Sequence, residues 1–231
     1  MINICKNIEF VRDAIKSSKS ASCPADIIAV TKTFPYTDVL AALNCGVKHI
    51  GESKIQEALP KFSRLGDSLS GVTKHFIGHL QTNKAKKAVE NFDFIHSLDS
   101  LTLADIISRH AANAGKIQNC LIEVKVSKED SKTGVLPRDV RDFYIKSLSI
   151  SNIAIRGLMV ITPYSKNPED SRYYFRQIKS LFEDIKRSFA NPNFDILSMG
   201  MSSDYNIAIE EGATMVRIGS AIFGERDYGD K

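Results

Sequence analysis

Short apolar runs rich in β-branched residues alternate along this chain with longer stretches whose apolar positions recur at helical spacing. The runs lie at 27–32 (IIAVTK), 47–52 (VKHIGE), 74–78 (KHFIG), 94–98 (FIHSL), 120–127 (CLIEVKVS), 155–162 (IRGLMVIT), 196–201 (ILSMGM) and 214–219 (TMVRIG). Between them the spacing predicts helices over 37–44, closed by Gly46, and over 54–65, where Pro60 is expected to kink or split the helix. Further helices are predicted over 82–91, opened by Thr82-Asn83, and over 100–114, opened by Ser100 and closed by Gly115. The stretches 137–148, 170–190 and 204–211 complete the alternation, and an extra helix over 3–18 precedes the first strand.

Repeated strand–helix units are the signature of parallel βαβ connections, and eight of them close into a barrel. The expected fold is therefore an α/β (β/α)8 TIM barrel, a single domain over 1–231 with one added N-terminal helix. An open doubly wound sheet is the alternative, and the missing G-x-G-x-x-G after the first strand weighs against it.

Composition narrows the picture further. With 43% hydrophobic and 25% charged residues, and only 13 Gly and 7 Pro in 231 positions, the chain is neither disordered nor collagen-like. A net charge of +4 suits a small anionic ligand and marks neither a nucleic-acid nor a membrane surface. No apolar run reaches the roughly 18 residues of a membrane span. Lys6, Glu9, Arg12, Asp13, Lys16 and Lys19 interrupt any leader-like core, so a cytoplasmic location is expected. Cys5, Cys23, Cys45 and Cys120 are too far apart for a C-x-x-C pair and are expected to be reduced thiols.

Barrel active sites lie at the carboxyl ends of the strands, often with a phosphate held after strands 7 and 8. That rule selects Ser198-Met199-Gly200-Met201 with Ser202-Ser203-Asp204, and Arg217-Ile218-Gly219-Ser220. Small residues there let backbone N–H groups approach an anion, and Arg217 adds fixed charge. Ser203 or Asp204 alone reads better as a helix cap, whereas Ser198, Gly219 and Ser220 together read as a phosphate site. Lys32 ends the first strand in phase with Ile28 and Val30, so an inward face would send its amine up the barrel axis. Desolvation there favours the neutral amine, the form that condenses with an aldehyde. Pyridoxal 5′-phosphate carries an aldehyde and a phosphate on one ring.

Other candidates read as structural. Lys125 shares a strand face with Glu123 and is expected to pair with it. His75 and His79 straddle a strand end and a loop, a poor zinc arrangement, and His96 reads as a hydrogen-bonded core histidine or a group near a ligand. Lys84, Lys86 and Lys87 read as a solvated helix face.

Taken together, several segments resemble the pyridoxal phosphate homeostasis protein family, single-domain relatives of the fold type III alanine racemases. They are Ala29-Val30-Thr31-Lys32-Thr33, Ile50-Gly51-Glu52 with Gln56-Glu57, His75-Phe76-Ile77-Gly78 with Leu80-Gln81 and Asn83-Lys84, and Ile95-His96-Ser97-Leu98-Asp99. The pattern continues through Ser131-Lys132-Thr133-Gly134, Arg156-Gly157-Leu158-Met159, Leu197-Ser198-Met199-Gly200-Met201-Ser202, Met215-Val216-Arg217-Ile218-Gly219 and Ile222-Phe223-Gly224. The resemblance implies a barrel that holds pyridoxal 5′-phosphate as a Schiff base on Lys32. Ser198, Gly200, Met201, Gly219 and Ser220 would surround its phosphate, and Arg217 would face its ring nitrogen. It implies cofactor homeostasis and delivery rather than turnover, with pyridoxal phosphate-dependent apoenzymes as transient partners. Ser53 replaces an asparagine frequent in the family, and His79 stands where proline is frequent. The racemases draw a second acid–base group from a β domain that this chain, ending at Lys231, is not expected to carry. A small pyridoxal phosphate-dependent racemase and a cofactor-free phosphate-binding isomerase are the competing functions.

Overall fold

A computed structural model describes residues 2–18, 25–127 and 133–225. It contains the strands β1 (Asp26–Val30), β2 (His49–Glu52), β3 (Thr73–Phe76), β4 (Phe94–Leu98), β5 (Gln118–Val124), β6 (Ile153–Val160), β7 (Ile196–Met201) and β8 (Met215–Ile218). All pair in parallel and in order, and β8 returns to β1 through Ile27↔Val216 and Ala29↔Ile218, closing the barrel. The crossovers carry α2 (Tyr36–Asn44), α3 (Ile55–Leu65), α4 (Ala85–Asn91), α5 (Leu101–Asn113), α6 (Val140–Ser147), α7 (Asp170–Phe189) and α8 (Tyr205–Glu210). Helix α1 (Ile4–Ser17) precedes the barrel, and the short α9 (Ser220–Phe223) follows β8. The eight-stranded barrel and its added N-terminal helix are as the hydrophobic pattern predicts. Among the described residues no helix is long and apolar enough to cross a membrane.

Two apolar volumes hold the fold. The larger lies between the outward faces of the strands and the helices, with Ile50, Phe76, Phe92, Ile107, Phe182 and Val216 among its members. The smaller fills the lower barrel interior with Ile28, Leu121, Met159, Ile196 and Met215. Gly51 leaves room for it, since a Cβ there would stand 2.8 Å from Ile28 Cγ2 and 3.1 Å from Ile77 Cδ1. Two residues further along the same strands, the inward positions become Val30, Ser198 and Arg217, so the interior turns polar toward the mouth.

Three local expectations change. Helix α3 is not split at Pro60, the sixth of its eleven residues, and continues to Leu65 at the cost of the one mid-helix backbone bond that a proline cannot donate. The stretch predicted over 82–91 begins as a 3-10 turn, Thr82–Lys84, with no side-chain cap, and becomes α-helical at Ala85. Cys5 and Cys45 form a disulfide with Cα atoms 5.4 Å apart, against the expectation of reduced thiols. Packing of α1 beside α2 brings the two together across 40 residues of chain, a proximity that spacing does not reveal. Cys120 is a buried free thiol whose pKa burial pushes up to about 12, and Cys23 lies outside the described residues.

Candidate functional site

Lys32 follows the end of β1 as expected. Ile28 lies in the interior apolar layer, while Val30 and Lys32 line a cavity of about 500 Å³ at the barrel mouth. A larger cavity of about 760 Å³ adjoins it, with Lys32, Ser53, Ile77 and Ile161 in the walls of both. These volumes are in the range of small-ligand sites.

The backbone on both sides of Lys32 is fixed from behind, in the layer between strand and helix. Lys61 of α3 donates to the Thr31 carbonyl at 2.7 Å and to Glu52 Oε1 at 2.6 Å, and lies 3.3 Å from Glu57 Oε1. Thr31 Oγ1 donates to the same Glu52 oxygen at 2.7 Å. The Thr33 N–H donates to Glu57, and Thr33 itself adopts φ +71°, a left-handed conformation unfavourable to a β-branched residue. Glu52 is wholly buried, and burial raises its pKa against the opposing pull of Lys61. One ionic cluster therefore holds the peptide units before and after Lys32.

The facing wall comes from the ends of β7 and β8. Met201, Ser202, Ser203, Arg217, Gly219 and Ser220 line the cavity of about 500 Å³. The N–H groups of Gly219 and Ala221 both donate to Ser202 Oγ at 3.2 Å, so two backbone donors converge on one oxygen beside the cavity. Arg217 is 4% exposed and strongly directed. Its Nη1 donates to the Ser198 carbonyl and to Ser198 Oγ, each at 2.8 Å, and its Nη2 donates to the Val160 carbonyl at 2.8 Å. Burial lowers its pKa to about 10, opposed by Asp204 and Glu123. The guanidinium remains protonated at neutral pH, and three of its five N–H groups are engaged by partners among the described residues.

Lys32, Met201, Arg217, Gly219 and Ser220 thus meet around one cavity. Ser198 and Gly200 lie outside its wall. Ser198 is fully buried below it, its hydroxyl engaged by Arg217 and by His96, whose Nδ1 is 3.2 Å away. Gly200 has φ +90° and faces α8, where a Cβ would come within 2.5 Å of Ala208 Cβ. Its positive φ and this strand–helix contact both require glycine. Ser202 and Ser203 are the wall residues that the sequence reading left as turn and cap. Hydroxyls immediately after a barrel strand were the available signal for them.

The larger cavity holds Glu123, Lys125, Lys54, Lys84 and His79. No Glu123–Lys125 ion pair forms among the described residues. Glu123 Oε2 instead accepts from Thr133 Oγ1 at 3.4 Å. Burial, with Asp99 nearby, raises its pKa to about 7. Lys84 turns into this cavity, whereas Lys86 pairs at the surface with Glu90 at 3.9 Å. His79 is 52% exposed and lies 3.6 Å from Asp99.

The family model described as alanine racemase, N-terminal domain, matches residues 3–227. A pyridoxal phosphate homeostasis protein of Aquifex aeolicus is 40% identical, with 98% of this chain and 100% of that protein covered. The protein of the same description from Escherichia coli K12 is 34% identical over the full length of both. PipY of Synechococcus elongatus PCC7942, solved with PLP bound, superposes with a TM-score of 0.86 at 35% identity, covering 96% of this chain and 100% of that one. An alanine racemase of Clostridium difficile shares the fold, with a TM-score of 0.75 at 14% identity, covering 97% of this chain and 57% of that one. The chain belongs to the alanine racemase N-terminal domain family and, within it, to the pyridoxal phosphate homeostasis proteins.

Proposed function

We propose that this protein binds pyridoxal 5′-phosphate as a Schiff base on Lys32 and acts in its intracellular homeostasis and delivery. The observation that carries the reading is a single cavity with a backbone-anchored lysine on one wall and, on the other, a fixed guanidinium beside two convergent backbone N–H donors. The residues present fit the cofactor. Lys32 supplies the amine, the Ser202, Gly219 and Ser220 turns with Met201 hold the phosphate, and Arg217 meets the ring nitrogen. Bound pyridoxal phosphate supplies an electron sink, and a permanently charged arginine at that nitrogen keeps it unprotonated and weakens the sink. Such a site retains and releases the cofactor better than it stabilises a carbanion. Apoenzymes that need the cofactor are the proposed recipients.

Purified protein given pyridoxal phosphate is expected to develop a visible absorption band that borohydride removes, with the reduced adduct on Lys32 by peptide mass spectrometry. Lys32→Ala is expected to lose band and adduct together. An adduct on another side chain would overturn the assignment, and steady-state conversion of L- to D-amino acids would favour the racemase instead.

A further inference from the structure

Three histidines on neighbouring strands are joined edge to edge inside the barrel. His49 Nδ1 of β2 lies 3.0 Å from His75 Nε2 of β3, and His75 Nδ1 lies 2.9 Å from His96 Nε2 of β4. His96 Nδ1 lies 3.2 Å from Ser198 Oγ, which accepts from Arg217 at 2.8 Å. The row runs from a cleft of about 250 Å³ beside α1, where His49 is half-buried, to the arginine in the wall of the cofactor cavity. We propose that His49, His75 and His96 are positioning residues that act as one hydrogen-bonded chain, orienting Ser198 and through it Arg217 toward the ring of the bound cofactor.

The direction of every bond in the chain follows from its last member. Arg217 can only donate, so Ser198 Oγ accepts from it. The serine then has one hydrogen to place in a fully buried position, and among the described residues His96 Nδ1 is the remaining partner. His96 therefore accepts at Nδ1 and carries its proton on Nε2, which donates to His75 Nδ1. His75 likewise donates through Nε2 to His49 Nδ1. The reverse polarity would leave the serine hydrogen buried without an acceptor, a loss comparable to a missing hydrogen bond. The arrangement needs His75 and His96 neutral, and burial keeps them so. His75 is held down to about 3, with His49 adding to the effect, and His96 lies well below the usual histidine range, with His75 and Arg217 adding to the effect. Phe94 stacks on His75 with centroids 5.0 Å apart and limits tilting of the ring.

A ring in such a row keeps its orientation because both neighbours demand it. Replacing His75 by phenylalanine preserves the stacked shape but removes the acceptor for His96 Nε2–H, which allows the His96 ring to turn over and the serine to swing. The guanidinium then keeps its two carbonyl contacts and loses its fixed hydroxyl.

Nitrogen-15 NMR of the imidazoles in cofactor-free protein tests the chain, and it stands apart from the cofactor reading on which the functional consequence rests. Wild-type His75 and His96 are expected as Nε2–H tautomers, and His96 in His75→Phe as a mixture. Cofactor affinity in His75→Phe is expected to fall about ten-fold, as for loss of a hydrogen bond to a charged group, with a shifted visible band. His96→Asn, whose side-chain oxygen can still accept from Ser198, is expected to lose less affinity than His96→Leu. Comparable far-ultraviolet circular dichroism and melting cooperativity separate these effects from misfolding. Nδ1–H tautomers in the wild type would overturn the proposal. So would a His75→Phe protein with wild-type band and affinity while Lys32→Ala loses both. If the wild type takes up no pyridoxal phosphate, the cavity reading fails, and the tautomers alone decide for or against the chain.

Discussion

Two of the buried polar clusters in the molecule are built by opposite means. Outside the barrel wall, Lys61, Glu52 and Glu57 meet as an ionic cluster around Thr31, with Lys61 7% and Glu52 0% exposed. Inside the wall, His49, His75 and His96 meet Ser198 as a row of rings, of which burial keeps His75 and His96 neutral. Full charge grips backbone strongly but tolerates no missing partner. Neutral rings grip weakly, yet each fixes its neighbour's orientation. The first arrangement suits holding the chain on either side of Lys32, and the second suits aiming Arg217.

Removing charge from the ionic cluster should separate the two most sharply. Lys61→Met leaves Glu52 buried without its counter-charge and is expected to destabilise the fold by about 3–5 kcal/mol, read by urea denaturation. A loss under about 1 kcal/mol would show that Glu52 is not ionised there. Acidification acts mainly on the other region. Unfolded histidine takes up a proton near its ordinary value of 6.5, whereas folded His75 does so only at about 3. The unfolded state therefore binds more protons between those values. The contribution of His75 is complete above about pH 6.5 and falls by about 1.4 kcal/mol per pH unit as pH drops toward 3. His75→Phe should flatten this slope in denaturation measured from pH 7 to pH 5. The smallest effect is expected from Glu57→Gln, which spares the Lys61–Glu52 pair but weakens the hold on Thr33. About 1 kcal/mol of stability should be lost, with several-fold faster cofactor loss on dialysis. Unchanged cofactor retention would mean that the Thr33 contact does not position Lys32.

What the sequence made legible follows from which forces are local. Strand runs and capping residues depend on near neighbours, so the barrel could be read, and Ser100 caps α5 by accepting from the Leu103 N–H at 3.3 Å. The place of Lys32 at the barrel mouth was legible because strand phase is local as well. The histidine row was missed because it depends on the stagger between strands. Gly51 pairs with His75 and His75 with Phe94, and those registers bring together rings that are 26 and 21 residues apart. The full burial of Ser198 was not legible for a related reason, since the shear of the barrel decides whether a strand-end serine faces the mouth or the layer beneath it. Lys61 carried no sequence signal, since a lysine beside Pro60 reads as solvent-exposed.

Helix α1 links the first crossover to the short helix that follows β8. Cys5 is bonded to Cys45, Arg12 donates to the Cys45 and Gly46 carbonyls at 3.0 and 2.7 Å, and Asn7 donates to the Ile222 carbonyl in α9 at 2.9 Å. The β8–β1 seam is the joint of the barrel that no crossover spans, because it is where the strand order begins and ends. A hoop of staves opens first at such a joint. Here α1 is riveted across it, so opening the barrel at that joint requires the contacts of α1 to Cys45, Gly46 and Ile222 to be given up as well.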